Sequence, residues 1–138
     1  MALWLCKQEP DCYSFDDLLR DGGTVWDGVS NALARKHLRQ MKPGDRVLFY
    51  HTGKQKAVVG EMVVAGEPRQ DPKSDDEAAV AVEMKPVRKL SRPVALAEIK
   101  ADKFLAGWDL VRLPRLSVVA VSEAQWKRIE KMSEATAG

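Results

Sequence analysis

The centre of the chain constrains the fold most, because it holds three apolar runs separated by polar turns. "RVLFYHT" and "AVVGEMVVAGEP" are short and rich in β-branched and aromatic residues, which favours strands over helices. "AAVAVEMKPVRKLS" predicts a third, longer strand that bends near Pro86. Gly60, inside the second run, marks a β-bulge or a close backbone approach. A chain with this centre builds its core around a sheet.

Shorter elements are predicted on the N-terminal side of this centre. "ALWLCKQEP" predicts a strand buried on both faces. A helix in "YSFDDLLRDGG" has a capping box from Ser14 to Asp17 and ends at a glycine pair. A second helix, capped by Ser30 or Asn31, is expected to run to about residue 41.

On the C-terminal side, the polar "RQDPKSDDE" predicts a loop, and "RPVALAEIKAD" and "KFLAGWDL" predict short helical segments. "LSVVAV" predicts a final strand, and "SEAQWKRIEKM" a helix with a capping box from Ser122 to Gln125. About five strands with short flanking helices indicate an α+β fold, a curved sheet or small barrel. We expect one domain over residues 1–133 and a frayed tail over 134–138.

Composition narrows the protein class. The 138 residues are 45% hydrophobic and 30% charged, which is typical of a soluble globular domain. No apolar run approaches the ~18 residues of a membrane span, and the N-terminus lacks the pattern of a secretory signal. Cys6 and Cys12 form no metal-binding motif with other ligands, so we expect free thiols, no metal and no cofactor. A cytoplasmic monomer is the resulting expectation.

Motifs of common enzymes are missing from the sequence. No nucleophile elbow, glycine-rich phosphate loop or zinc-protease helix occurs. Lys7 and Glu9 alternate on the first strand and share a face. This pair is open to three interpretations: a surface ion pair, an acid–base pair, or part of a ligand site.

Trp26 stands apart from the other three tryptophans, because it lies in a short polar hinge beside Gly28 and Asn31. It is either a core residue or the wall of a pocket, where an indole can stack on a planar ring. The helix that follows carries a basic surface. If the ligand is nucleic acid, its phosphates are expected at Arg35, Lys36 and Arg39.

Several segments together resemble EVE domains. They lie in collinear order over residues 2 to about 131 and read "LWLCKQEPDCYSFDDLLRDGGTVWDGVSN", "MKPGDRVLFYHTG", "VVGEMVVAGEPRQDPKSDD", "RPVALAEIKAD" and "LSVVAV". The resemblance implies a PUA-like fold, a small mixed-strand barrel related to the YTH and SRA base-reading domains. It also implies a non-enzymatic reader that holds one flipped, modified base of DNA or RNA, with modified cytosine in DNA foremost.

Carried over position by position, the resemblance implies a base pocket and a loop over it. The pocket positions are Lys7, Glu9, Pro10, Trp26, Asp27, Gly28, Val29, Asn31, Tyr50 and His51. The loop positions are Asp71, Pro72, Lys73 and Ser74, within an acidic segment that is expected to be solvated. The chain departs from the family pattern at Gln8, Ser30 and Leu33, and these departures bear on which ligand fits.

Two other functions stay open at this stage. The related ASCH-like branch resembles small amidohydrolases acting on modified cytidine, which would require Lys7, a glutamate, and Thr24 or Thr52 to converge. A protein-interaction module with a vestigial pocket is the third possibility.

Overall fold

A computed structural model of the chain describes residues 2–134, in which a curled, mixed sheet is surrounded by short helices. The strands are Leu3–Gln8 (β1), Thr24–Trp26 (β2), Arg46–His51 (β3), Ala57–Val64 (β4), Arg69–Gln70 (β5), Val80–Ala95 (β6) and Val118–Val121 (β7). The helices are Phe15–Asp21 (α1), Ala32–Gln40 (α2), Leu96–Ala101 (α3), Asp109–Arg112 (α4) and Glu123–Glu134 (α5). This half-barrel is the predicted α+β, PUA-like fold.

The sheet order is β2-β6-β4-β3-β1-β7, and β5 pairs separately with β6. β1 runs parallel to β3 and antiparallel to β7. Because β1 has a partner on each side and is covered on both faces, its middle residues are buried, as its apolar sequence predicts.

The first and last helices begin at the predicted capping boxes. At α1, the Asp17 amide donates to Ser14 Oγ (3.1 Å) and the Ser14 amide donates to Asp17 Oδ2 (2.9 Å), which completes a capping box. The same reciprocal pair joins Ser122 and Gln125 before α5. α5 extends to Glu134, and the rest of the predicted frayed tail lies outside the described residues.

Gly60 fulfils both predictions made for it. The β3–β4 register shifts beside it, between Phe49 and Tyr50. A Cβ atom on Gly60 would lie 2.5 Å from the Phe15 ring. Only glycine allows α1 to pack this closely on the sheet.

The strand count is seven rather than about five, and the additional strands are β2 and β5. Both are too short to be set by their own propensity and are formed by pairing with the 16-residue β6. β6 also continues to Ala95, because Val94 and Ala95 pair with β4, so the predicted helix starts only at Leu96. Trp26, predicted in a hinge, therefore ends a strand, opposite Val82.

Candidate nucleic-acid interface

A cavity of about 320 Å³ opens where β1 and β2 end. β1 and β2 are separated by three strands in the sheet, so the curl of the sheet brings their ends together. We call this cavity the β1–β2 pocket; its lining residues are Gln8, Tyr13, Thr24, Val25, Trp26, Asp27 and Lys73.

Trp26 is both a core residue and a pocket residue. Its surface is only 4% exposed, and its ring packs edge-on against Phe49 with centroids 5.4 Å apart and planes at 88°. The exposed remainder lies in the β1–β2 pocket. The two interpretations left open by the sequence therefore hold together, and the indole contributes only a small surface to a ligand.

Polar side chains line the rest of the pocket. Tyr13 donates from its hydroxyl to Asp21 Oδ2 (2.9 Å) and also hydrogen-bonds Thr24. Desolvation raises the pKa of Tyr13. Gln8 accepts from the Glu9 amide through Oε1 (3.1 Å), and its NH₂ group makes no hydrogen bond with the residues described. Hydrogen-bond donors are thus available inside the cavity.

Asp27 and Lys73 form the outer rim. Lys73 Nζ lies 3.8 Å from Asp27 Oδ2, and the lysine side chain is 82% exposed. Gly28 follows with φ +71°, and a Cβ there would meet open space. Gly28 is therefore required for the left-handed turn after Asp27 and not for clearance.

The acidic segment 71–77 is mostly exposed, as expected, but hydrogen bonds anchor it at several points. Asp71 is 4% exposed, and its Oδ1 accepts from the Lys73 amide (2.9 Å). From α2, Arg35 donates to Asp76 Oδ2 (2.8 Å), and Arg39 donates to the Ala78 carbonyl. The expectation of a solvated segment is wrong for Asp71, while Pro72, Lys73 and Asp76 are exposed and Ser74 is partly exposed.

These contacts change the interpretation of the basic helix. The Arg35 side chain is only 16% exposed and also donates to the Val29 carbonyl (2.7 Å). Arg35 and Arg39 would have to give up internal hydrogen bonds to contact a phosphate. Lys36 is exposed and, alone of the three predicted phosphate ligands, makes neither a hydrogen bond nor an ion pair with its side chain within residues 2–134.

Eight of the ten predicted pocket residues lie outside the cavity lining, and four of these have side-chain contacts elsewhere. His51 is buried; its Nε2 accepts from the Phe15 amide (3.0 Å), and its Nδ1 lies 2.7 Å from Gln55 Oε1. Asn31 caps α2, with Oδ1 accepting from the Ala34 amide (3.0 Å). These two side chains have structural partners, as a strand-end histidine and a helix cap commonly do.

Lys7 and Tyr50 are two further predicted pocket residues that have contacts outside the cavity. Lys7 donates to the Pro114 carbonyl (3.0 Å), and its Nζ lies 5.6 Å from the Tyr50 ring centroid. Burial lowers the pKa of Lys7 and raises the pKa of Tyr50 to about 12. No ion pair between Lys7 and Glu9 is found among the described residues, so of the three interpretations of this pair the surface ion pair is wrong.

Three further predicted positions, Glu9, Pro10 and Val29, have backbone or packing roles. The Glu9 carbonyl accepts from the amides of Cys12 and Tyr13, which turns the chain between β1 and α1. Pro10 is partly buried in this turn, and Val29 packs against the core.

Of the predicted site, the structure therefore brings Trp26, Asp27 and Lys73 together. Sequence reasoning did not place Tyr13, Thr24 or Val25 in a base pocket, and it treated Gln8 only as a departure from the pattern. The alternation of β1 is the one available signal, because it directs Gln8 away from the face of Lys7.

Residues 2–134 contain neither a metal-binding cluster nor a membrane-spanning helix. No group of three or more His, Cys, Asp or Glu side chains there is arranged to hold a metal ion. None of the helices described is long and apolar enough to cross a bilayer. Cys6 and Cys12 are free thiols, and burial raises the pKa of Cys6.

The model of the EVE domain matches residues 2–132, nearly the whole chain. The chain belongs to the EVE domain family. Thymocyte nuclear protein 1 of Mus musculus is 32% identical over an alignment that covers 95% of this chain and 73% of the mouse protein. The human protein of the same name is 33% identical, but that alignment covers only 55% of its length.

Solved structures resemble this EVE domain over almost its full length. The NMR structure of a Rhodopseudomonas palustris protein has a TM-score of 0.92 and 36% identity, covering 100% of this chain and 97% of that one. A crystal structure of human THYN1 in complex with 5-methylcytosine-containing DNA has a TM-score of 0.91 and 27% identity, covering 99% and 100%.

A more distant likeness bears on the enzyme alternative. An ASCH protein of Zymomonas mobilis matches this EVE domain with a TM-score of 0.65 and 12% identity, covering 96% and 99% of the two chains. That likeness shows a shared fold alone.

Proposed function

We propose that this EVE domain is a non-enzymatic reader that binds nucleic acid and holds one extruded, modified base in the β1–β2 pocket. A modified cytosine in DNA is the foremost ligand. The observation that carries the proposal is the pocket itself, a cavity of about 320 Å³ with an indole at its inner wall and hydrogen-bonding side chains around it. The complex of human THYN1 with 5-methylcytosine DNA supports the choice of base.

The free energy that offsets base extrusion has to come from the polar rim as well as from stacking on the indole. Extruding a base costs a few kcal/mol, and stacking on an aromatic ring returns roughly 1–3 kcal/mol per base. Because Trp26 is 4% exposed, it supplies less than a fully open indole would. The Asp27 carboxylate is suited to accept from the cytosine N4 amino group, and the Gln8 NH₂ group to donate to the ring edge.

The placement of Lys7 supports binding over hydrolysis. An ASCH-like mechanism requires a lysine, a threonine and a glutamate at one polar site. Here Lys7 and Gln8 are adjacent on β1 and point to opposite faces; Lys7 reaches Pro114, whereas Gln8 and Thr24 line the pocket. Thr24 therefore lines the pocket, whereas Lys7 contacts the segment before β7.

The test is a fluorescence-anisotropy titration with short DNA and RNA strands that carry one cytosine or one 5-methylcytosine. Wild type should prefer the methylated strand. We expect Asp27→Asn and Gln8→Ala each to weaken binding of the methylated strand roughly 5- to 100-fold, since one base contact of this kind contributes about 1–3 kcal/mol.

Lys127→Ala is the matched control, because this lysine lies exposed on α5, away from the pocket. Trp26 is unsuitable as the primary test, because its replacement also disturbs the core around Phe49. Equal affinity of wild type for all strands would refute a base reader. Absence of binding to any strand would favour a protein-interaction module, and release of a product from acylated cytidine would favour the hydrolase. A cytoplasmic location and a monomeric state remain predictions.

A further inference from the structure

A second cavity, of about 420 Å³, lies between the start of α2 and the segment that joins α4 to β7. We call it the α2–α4 groove; its lining residues are Asn31, Leu33, Arg112, Leu113, Pro114, Arg115 and Leu116. Leu33 and Leu113 are 39% and 38% exposed, so the groove presents apolar side chains to solvent. Its rim carries two arginines.

The charge of this rim is available to a ligand. Arg115 is exposed and makes no ion pair with the residues that the structure describes. Within residues 2–134, the one ion-pair partner of Arg112 is Asp109, at 3.4 Å, in a pair whose side chains are 64% and 39% exposed. Exposed pairs of this kind contribute little and are easily exchanged for another anion. The segment 112–116 itself contains no acidic residue.

Two segments of the chain connect the groove to the β1–β2 pocket. Asp27 lines the pocket and Asn31 lines the groove, and four residue steps span at most about 14 Å. On β1, Gln8 lines the pocket while its neighbour Lys7 donates to the groove residue Pro114 (3.0 Å). At about 3.4 Å per nucleotide step, 14 Å corresponds to about four nucleotides.

We propose that the α2–α4 groove binds the strand that flanks the extruded base, with its phosphates at Arg112 and Arg115. An unstacked sugar or base packs on Leu33, Leu113 and Pro114. The occupant is nucleic acid because anionic and planar apolar groups alternate along such a strand, matching arginines beside an apolar floor. This inference rests on the proposed function of the β1–β2 pocket.

The experiment compares wild type with the double variant Arg112→Gln/Arg115→Gln on a single-stranded DNA of about a dozen nucleotides with one central 5-methylcytosine. Affinity is measured over a salt series. Each phosphate contact contributes about 0.7 to the slope of log K against log salt for a single strand, so the variant should lose about 1.4. The ratio of affinities for methylated and unmethylated strands should stay unchanged.

The matched control is Lys127→Gln/Lys131→Gln, which removes the same charge from α5, beyond the other end of β7. Its salt slope should equal that of wild type. A trinucleotide centred on the modified base should bind wild type and the groove variant more nearly alike, because it does not span the groove. Circular dichroism melts verify that both variants are folded.

The experiment gives different results when the groove inference is wrong and when the proposed function of the pocket is wrong. A groove variant with the wild-type salt slope, in a protein that still prefers 5-methylcytosine, overturns the groove inference and leaves the pocket intact. Wild type without base preference overturns the proposed function, and the groove inference with it. Competition by polyglutamate as strong as by an equally charged DNA strand identifies an acidic protein partner and also overturns the inference.

Discussion

Two arginine pairs of this EVE domain look alike in sequence and differ in what surrounds them. Arg35 and Arg39 on α2 donate to Asp76, to Val29 and to Ala78, so their guanidinium groups face the protein. Arg112 and Arg115 beside the α2–α4 groove have one weak partner between them among the described residues. The number of positive charges in a segment therefore does not indicate which of them a ligand can reach.

This difference assigns separate tasks to the two pairs. The α2 arginines hold the segment around residues 71–79 against the helix, and this segment supplies Lys73 to the rim of the β1–β2 pocket. They hold this segment without lining the pocket themselves. The groove arginines have no such structural task, so their loss should change binding and leave stability nearly unaltered.

The largest expected effect is a loss of unfolding free energy when Arg35 is replaced. Arg35→Gln removes the ion pair with Asp76 and leaves the Val29 carbonyl without its donor. Hydrogen bonds to charged groups contribute about 1.5–3 kcal/mol when well buried, and the exposure of Asp76 lowers this, so we expect a loss of about 1–2 kcal/mol. Urea denaturation measures this loss of unfolding free energy.

Arg115→Gln is the control for that measurement, since a change at an exposed, unpaired residue should stay within about 0.5 kcal/mol. Equal losses of unfolding free energy in the two variants would remove the contrast between the arginine pairs.

The second prediction concerns the acidic partner of Arg35. The hydrogen bond from the Ala78 amide, together with Arg35, lowers the pKa of Asp76. A carboxyl group whose pKa is lower in the folded state stabilises above its unfolded pKa of about 3.9, and this contribution is lost as the pH falls through the lower, folded value. The segment 71–79 should therefore loosen only below about pH 4.

Amide hydrogen exchange of Ala78, followed between pH 6 and pH 2 after correction for intrinsic rates, tests this prediction. Asp76→Asn keeps the side chain's size and should show no such step, with exchange that is fast throughout. A wild-type step centred above pH 5 would mean that another group controls the segment.

The features that sequence predicts well here are local ones. The capping boxes at Ser14 and Ser122 depend on residues three apart, and the bulge at Gly60 depends on a missing side chain within an apolar strand. Each is encoded within a few positions, so no knowledge of the tertiary fold is required.

The features that sequence does not predict arise from distant pairing. β2 exists because β6 is beside it, and Trp26 is buried because Phe49 meets it edge-on. Asp76 and Ala78, which accept from Arg35 and Arg39, lie about 40 residues away, and Gln8 and Thr24 line one pocket only through the curl of the sheet. A motif assigns residues such as His51 and Asn31 to a site, whereas their hydrogen bonds show structural roles.

The smallest expected effect tests how weakly Arg112 is held. Asp109→Asn removes its only described ion-pair partner. Because an exposed pair contributes between 0 and about 1 kcal/mol, the affinity for the methylated strand should rise by no more than about 5-fold, and it should fall back at high salt. The fluorescence-anisotropy titration measures this change, with Glu123→Gln on α5 as the charge-matched control.

A rise in affinity at Asp109→Asn that the control does not share means that Arg112 exchanges its carboxylate for a phosphate. A rise of the same size in both variants would instead reflect the net charge of the domain, which acts on any polyanion over the distance set by screening. Only the first result assigns the effect to the groove. The two variants each remove one negative charge, so they differ only in where on the surface that charge is removed.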